Sequence, residues 1–326
     1  QLFEEKLDEF DLIIFDQFTR RRTPGRSGRA TPILRPFYIQ NIAEYVADGG
    51  ALLVATGPAF AGDDSLYRSP LAAILPAVPT GETAEYSFKP KLNDKGRRHP
   101  VTAPFFGKDD QTWGSWFRVI ESNVVSGDIL MDGPGEEPLL VIEKVGDGRV
   151  AMIMSDQAWL WARGYDGGGP YNEMFRRLSH WLLGEPDLDA EKLSAQTNGD
   201  TVMIERRTLS DAAQNVSLQK PDGTTEIVTL EKIENGLYRG SAKTAGQGAY
   251  RLSSGDLTTI TAIGALNPKE LSDLTPTIDI LAPFSDGTGG GAFMIEAAGL
   301  LPSIRRVKPL ADKAGDDWIG LIAHND

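Results

Sequence analysis

Few side chains in this chain of 326 residues could form or break covalent bonds. There is no cysteine, which excludes disulfides, thiolate metal sites and a thiol nucleophile. The three histidines, His99, His180 and His324, are too few and too scattered for a metal site built on imidazole. Nucleophilic or hydrolytic chemistry would therefore fall to Thr56, Ser155, Asp156 and His99. Thr56 opens Thr56-Gly57-Pro58, directly after an apolar run, but a hydroxyl there needs a strong activating base and no histidine is near in sequence. His99, before Pro100, reads as a loop residue and so as the better histidine for a surface role. His180, beside Trp181, reads as a hydrogen-bonded helix residue beneath a sheet.

Two further segments invite a ligand reading and fit it poorly. Asp63-Asp64-Ser65 offers oxygen ligands, yet matches no metal-binding loop pattern and reads as a solvated turn. Asp286–Gly291 is glycine-rich but lacks the Gly-Lys-Ser/Thr ending of a phosphate loop and reads as a flexible turn. Neither a metal nor a cofactor is expected.

Two surface features carry more weight. Trp159, Trp161, Arg163 and Tyr165 follow an apolar run and precede Gly167-Gly168-Gly169-Pro170, with Trp113, Trp116 and Phe117 available to the same region. Such rings either cover a core beneath a loop or form a ligand or partner rim, with His99 as a further candidate. Arg20, Arg21, Arg22, Arg26, Arg29 and Arg35 lie in a segment, 17–43, without a single acid. It reads as a mobile basic loop, either merely solvated or suited to anionic headgroups or an acidic partner. The whole chain runs the other way, with 33 Lys+Arg against 46 Asp+Glu and a formal charge of −13, which argues against nucleic acid.

The elements that must position these residues are legible in part. Asp11–Asp16 and Ala51–Ala55 are short apolar runs of the kind buried on both faces of a parallel sheet. Leu2, Phe3, Leu7 and Phe10 recur at helical spacing before the first run. Between the runs, Ile39, Ile42, Ala43 and Val46 fall on one helix face, stopped by Gly49-Gly50. Pro138–Ile142 and Arg149–Met154 read as strands joined at Gly146-Asp147-Gly148, and a helix is expected from about Tyr171 to Leu183, ended by Gly184. Residues 59–137 read as loops and short strands over the sheet. From about 187 the pattern changes to short strands, near 202–204, 216–218, 226–230, 237–238, 250–252 and 258–263, spaced as in an antiparallel sandwich. The tail carries two strand candidates, near 292–295 and 318–322.

The succession Asp11–Asp16, then Ile42 to Val54 through Gly49-Gly50, resembles class I glutamine-amidotransferase-like domains. The likeness extends to an alphaproteobacterial membrane-anchored branch through Gly57–Gly62, Ser65-Leu66-Tyr67, Gly96–Thr102, Ser155–Gly164 and His180-Trp181-Leu182. This resemblance covers about 1–185 well and the remainder loosely. It implies a flavodoxin-like α/β parallel-sheet domain over 1–185, an all-β immunoglobulin-like sandwich over 186–265 and an unassigned segment, 266–326. It also implies a bacterial locus with von Willebrand A-like membrane proteins, and transmembrane helices outside the domain. True amidotransferases of this fold attack through a cysteine, which this chain lacks. The expectation is thus a non-catalytic scaffold, the periplasmic piece of a longer membrane-anchored envelope protein, with protein partners. A hydrolase or transferase with a non-Cys nucleophile, and a small-ligand or carbohydrate binding module at the Trp-rich loop, are the alternatives.

Overall fold

The computed structural model describes residues 2–24, 30–107, 112–212, 214–244, 246–263, 281–291, 293, 301–308, 312–315 and 317–322. Chain contacts divide into two compact units, 1–263 and 264–326.

In the first unit, the apolar runs become β1 (Ile13–Asp16), β4 (Ala51–Ala55) and β10 (Gly148–Ile153). They lie side by side and parallel, with Phe15 opposite Val54 and Leu53 opposite Ala151. Helix α2 (Pro36–Ala47) buries Ile39, Ile42, Ala43 and Val46, and helix α3 (Tyr171–Leu182) buries Met174, Leu178, Trp181 and Leu182. Gly148 shows how closely α2 lies: a Cβ there would stand 1.9 Å from the Val46 carbonyl oxygen. Its neighbour Arg149 points to the other face of the strand, where it donates to the Trp181 carbonyl at 2.6 Å. One helix thus covers each face, which is why these strands read as unbroken apolar runs rather than alternating ones. The early helical spacing yields only a short turn, α1 (Leu2–Glu5), followed by a 3-10 turn at Leu7–Glu9.

The sheet is only half parallel, which narrows the parallel-sheet expectation, while the strands read as joined at Gly146-Asp147-Gly148 do pair. β10 pairs antiparallel with β9 (Pro138–Val145), and β8 (Asp128–Asp132) and β6 (Lys91–Leu92) extend that side in the order β1-β4-β10-β9-β8-β6. The physical cause is the tight turn at Gly146-Asp147, where Gly146 takes φ +59; so short a connection can only reverse the chain. Within 59–137, read as loops and short strands, β5 (Ala77–Ala84) pairs with β7 (Val119–Val124). The arginine-bearing segment is not a free loop throughout: β2 (Arg22–Pro24) and β3 (Ala30–Pro32) pair antiparallel.

A second core begins at Leu193. Seven strands, β11 (Lys192–Asn198), β12 (Thr201–Arg207), β13 (Gln214–Gln219), β14 (Thr225–Glu234), β15 (Leu237–Lys243), β16 (Gly248–Ser254) and β17 (Leu257–Ile263), run as one antiparallel sheet. β14 pairs with β13 through its first half and with β15 through its second, so it carries the sheet around a corner. The outer strands β11 and β17 come together, and Thr197 Oγ1 lies 3.4 Å from the Ala262 carbonyl. Val202, Ile204, Val216, Leu218, Tyr250 and Leu252 fill the inside. This is a near-barrel, and the expected immunoglobulin-like pair of sheets is not what the register shows. Gly236 (φ +75) joins the two cores closely, since a Cβ there would lie 2.5 Å from the Arg98 carbonyl oxygen.

In the unit 264–326, Ser303–Val307 pairs parallel with Trp318–Ile322, and Ala314–Gly315 pairs antiparallel with the latter. The glycine-rich stretch is in part helical, because Asp286–Thr288 closes the helix Ala282–Thr288. The strand candidate at 292–295 lies outside the described residues apart from Phe293. Among the described residues, no helix is long and apolar enough to cross a membrane.

Candidate functional site

Open α/β sheets bind ligands beyond the carboxyl ends of their parallel strands. Here those ends are Asp16-Gln17, Thr56-Gly57 and Met154-Ser155-Asp156. Thr56 is 2% exposed, and both its amide and its hydroxyl donate to the Ile153 carbonyl, at 2.8 and 3.1 Å. A nucleophile on a strand-to-helix elbow takes a strained, left-handed backbone. Among the described residues, the non-glycine positions with positive φ are Gln17, Glu136 and Asp166, so Thr56 is not on such an elbow. Ser155 is buried as well, and its hydroxyl donates to the Arg118 carbonyl at 2.6 Å. Both hydroxyls are spent on backbone.

His99 is 1% exposed, which corrects its placement on a surface loop. Its Nδ1 accepts the Val101 amide at 3.1 Å, and its ring stands edge-on to Trp181. Arg177 pins the loop by donating to the Pro100 carbonyl at 2.6 Å. Burial above all, with Lys144, Arg149 and Arg177 adding positive charge, lowers the imidazole pKa to about 3. The ring belongs beside Trp181, whose carbonyl Arg149 holds at the start of β10, whereas Thr56 sits at the far end, level with Ile153. Four residues of strand separate those ends, roughly 13 Å, so the structure does not bring Thr56 and His99 together. His180 is the exposed histidine, paired through Nδ1 with Glu185 at 2.5 Å. It lies off the helix face that buries Leu178, Trp181 and Leu182, and so is not beneath the sheet. His324 lies outside the described residues.

The aromatic rim divides. Trp161 is core: its indole N–H donates to the Gly114 carbonyl at 2.8 Å, and its ring packs on Trp113 and Trp116 at 5.1 and 4.7 Å. Gly169 lies so close over the indole that a Cβ would meet it at 2.4 Å, so the glycines here serve packing. Trp159, 51% exposed, and Tyr165, 46% exposed, do face solvent, as does Arg163. Tyr165 stands edge-on to Phe117 at 5.6 Å.

Beside this rim is a charged array of which the sequence reading singled out only Asp156. Arg118 bonds Asp156 at 2.8 Å and Glu85 at 2.9 Å, with the Asp156 side chain 6% exposed. Asp166 accepts the Ser115 hydroxyl at 2.7 Å and pairs with Lys89 at 3.9 Å. The Ser115 hydroxyl first, then its amide and Lys89, hold the Asp166 carboxyl below the ordinary carboxylate pKa. Lys89 also lines an open groove of about 1320 Å³ with Phe88, Lys91, Lys95, Arg97 and Asp132. Burial, with Glu136 adding its charge against a hydrogen bond from Asn93, raises the Asp132 carboxyl. Apart from Asp156, the local signal for this array was that Ser115 lies within the Trp113–Phe117 stretch and Arg118 directly follows it; their partners come from about 30 to 50 residues away.

The remaining candidates are scattered. Arg20 donates to the Arg68 carbonyl and is tied down, Arg21 and Arg35 are exposed, Arg22 lies on β2, and Arg26 and Arg29 fall outside the described residues. Asp63 pairs with Arg68 at 3.5 Å and Ser65 caps a turn. Among the described residues, no group of His, Cys, Asp or Glu side chains could hold a metal ion.

No family model matches the chain, and no curated protein does. Among solved structures it is similar to two cytoplasmic proteins of Salmonella typhimurium, at 19% and 22% identity, each likeness covering 55% of this chain and 74% of the other at a TM-score of 0.45. It is also similar to a protein of Bacteroides uniformis described as ThuA-like, at 13% identity over 56% of this chain and 72% of the other, with a TM-score of 0.37.

Proposed function

We propose that the chain is a non-catalytic interaction region of a membrane-anchored bacterial envelope protein, built on a degenerate class I glutamine-amidotransferase-like, flavodoxin-like domain. The observation that carries this reading is the state of the nucleophile position: Thr56 is buried off any elbow, and its hydroxyl is bound to Ile153. An acyl-transfer site needs nucleophile and base within hydrogen-bond reach, and His99 lies at the opposite end of the strands. What remains at the carboxyl edge is a surface that can bind, made of Trp159, Tyr165, Arg163 and the array around Arg118. The envelope location and the protein partners rest on the sequence resemblance alone, and the arginines of the β2–β3 segment would suit anionic headgroups in that setting. A second reading, a ligand-binding module at the same edge, is favoured by the half-exposed rings of Trp159 and Tyr165.

The test has two arms. Purified protein given glutamine should release ammonia no faster than its Thr56→Val variant. Pull-downs from detergent-solubilised envelopes should lose their specific partners when Trp159 and Tyr165 are both changed to Ala. Turnover that depends on Thr56, or capture indifferent to the rim, would overturn the reading.

A further inference from the structure

We infer that the second core is an incomplete barrel that takes up an extended, uncharged peptide of a partner protein as its eighth strand, between β11 and β17. Its seven strands reverse direction through six antiparallel pairings, so the two outer strands run parallel to each other. They come together without a ladder. Among the described residues no backbone hydrogen bond joins them, and the Thr197 hydroxyl reaches the Ala262 carbonyl at 3.4 Å, longer than an ordinary hydroxyl bond. Two-residue hairpins fix which groups face this seam. Gly199-Asp200 joins β11 to β12 with Asn198 opposite Thr201, and Gly255-Asp256 joins β16 to β17 with Ser254 opposite Leu257. The residues that close such a turn bond each other, and so does every second pair beyond them. Leu193, Ala195 and Thr197 on one strand, and Thr258, Ile260 and Ala262 on the other, therefore turn their amides and carbonyls to the seam.

The side chains mark the same gap. Val202, Ile204, Val216, Leu218, Tyr250 and Leu252, from the strands between, are at most 1% exposed. Ala195, Leu257 and Ile263 pack on this core yet stay partly exposed, and all three come from the outer strands. Nor is the edge guarded: β17 has no charged residue, no proline and an unbroken register on β16, with Ile260 65% exposed. Charges, prolines and bulges are what keep a free edge from pairing. A row of donors and acceptors at strand spacing is matched by an extended polypeptide backbone. Between parallel neighbours such a strand can run antiparallel to both, so that every ladder of the closed barrel is antiparallel. No side chain is charged from Leu193 to Asn198 or from Leu257 to Ile263, so the seam offers nothing to a charged segment. The half-covered interior suits apolar side chains at alternate positions. A second copy brings only its own β11 or β17, each already held beside the other.

Fluorescence anisotropy of a labelled seven-residue peptide of alternating valine and threonine tests this on the intact chain. Binding should saturate, and hydrogen exchange should show the amides of Ala195, Thr197, Ile260 and Ala262 gaining protection. The same peptide N-methylated at alternate amides keeps its side chains, cannot pair with one neighbour, and should not bind. Ile260→Pro removes an amide that faces the seam and none that bonds β16, so it should fold and weaken binding about tenfold. Equal melting temperatures would show that it folds; were it unstable, the N-methylated peptide still decides. Met203→Thr, on the outside of β12, should bind as the parent does, and so should the double variant Trp159→Ala, Tyr165→Ala. The inference is overturned by an absence of binding, by equal binding of the N-methylated peptide or of a folded Ile260→Pro, or by protection confined to other strands. A dimer paired through the seam that takes up no peptide would also overturn it. The non-catalytic reading stands or falls separately, by the glutamine and pull-down arms.

Discussion

His99 should make the α/β core acid-sensitive in a way that one substitution removes. The folded imidazole has its pKa lowered from 6.5 to about 3, chiefly by burial. The unfolded chain therefore binds the proton first, so this contribution to stability is full above pH 6.5 and is lost as pH falls towards 3. At pH 5 the loss is about 2 kcal/mol, from 2.303RT per unit of pH between the two values. His99→Asn keeps an acceptor for the Val101 amide and cannot titrate. It leaves a small void, which lowers stability by a similar amount at every pH and so cancels from the slope. Urea unfolding followed by tryptophan fluorescence is a suitable assay, because residues 193–263 contain no tryptophan and five of the six lie between 113 and 181. Between pH 8 and pH 5 the parent should lose about 2 kcal/mol more than His99→Asn, the carboxylates contributing equally to both. Parallel stability curves would refute the reasoning, because a neutral buried imidazole must take up a proton on unfolding.

Two further perturbations probe packing and the charged array. Gly148→Ala should cost at least about 3 kcal/mol, since a Cβ 1.9 Å from the Val46 carbonyl forces α2 off the sheet, whereas Gly49→Ala, open around its Cβ, should cost only the left-handed backbone, about 1–2 kcal/mol; melting temperatures should fall in that order. Arg118→Met should destabilise by about 3 kcal/mol in urea by leaving the buried Asp156 carboxylate unpaired, while Glu85→Gln, on the exposed partner, should cost under about 1 kcal/mol.

How much was legible in the sequence depended on whether the cause was local. β4 and β10 announce themselves because helices cover both their faces, leaving runs such as Ala51-Leu52-Leu53-Val54 without a polar position. α2 is readable from Ile39, Ile42, Ala43 and Val46 because a helix face repeats within four residues. β6 is two residues long and β11 is largely polar, so neither carries a pattern strong enough to find. The corner in β14 depends on its changing partners midway, which no local composition records. His99 was misplaced for the same reason. Its neighbours Arg97, Arg98 and Pro100 read as surface, and the residues that enclose it, Arg177 and Trp181, lie about 80 positions on. Trp161 and Trp159, two apart on one short helix, could not be told apart until the first was seen to fill the space beside Trp113 and Trp116.

The same distinction bears on what became of the crevice beyond the parallel strands. Such a crevice is reactive only if its hydroxyls and imidazoles are left free to meet a substrate. Here the Thr56 hydroxyl is held by Ile153 and that of Ser155 by Arg118, while Trp161, Trp113 and Trp116 pack as one cluster beside Gly114 and Gly169. Each hydroxyl is satisfied by backbone, and freeing either would leave a buried hydroxyl without its acceptor, a cost of about 1–3 kcal/mol; the Ile153 carbonyl would keep the Thr56 amide. A nucleophile at 56 would thus require more than a cysteine there: the strand end would have to be rebuilt as an elbow and an imidazole brought from the far end of the sheet. The groups that retain freedom are outside this sealed layer, on the solvent side of Trp159, Tyr165 and the lysines of the groove. A surface of that kind can hold a ligand without transforming it, which is what the proposed scaffold role requires.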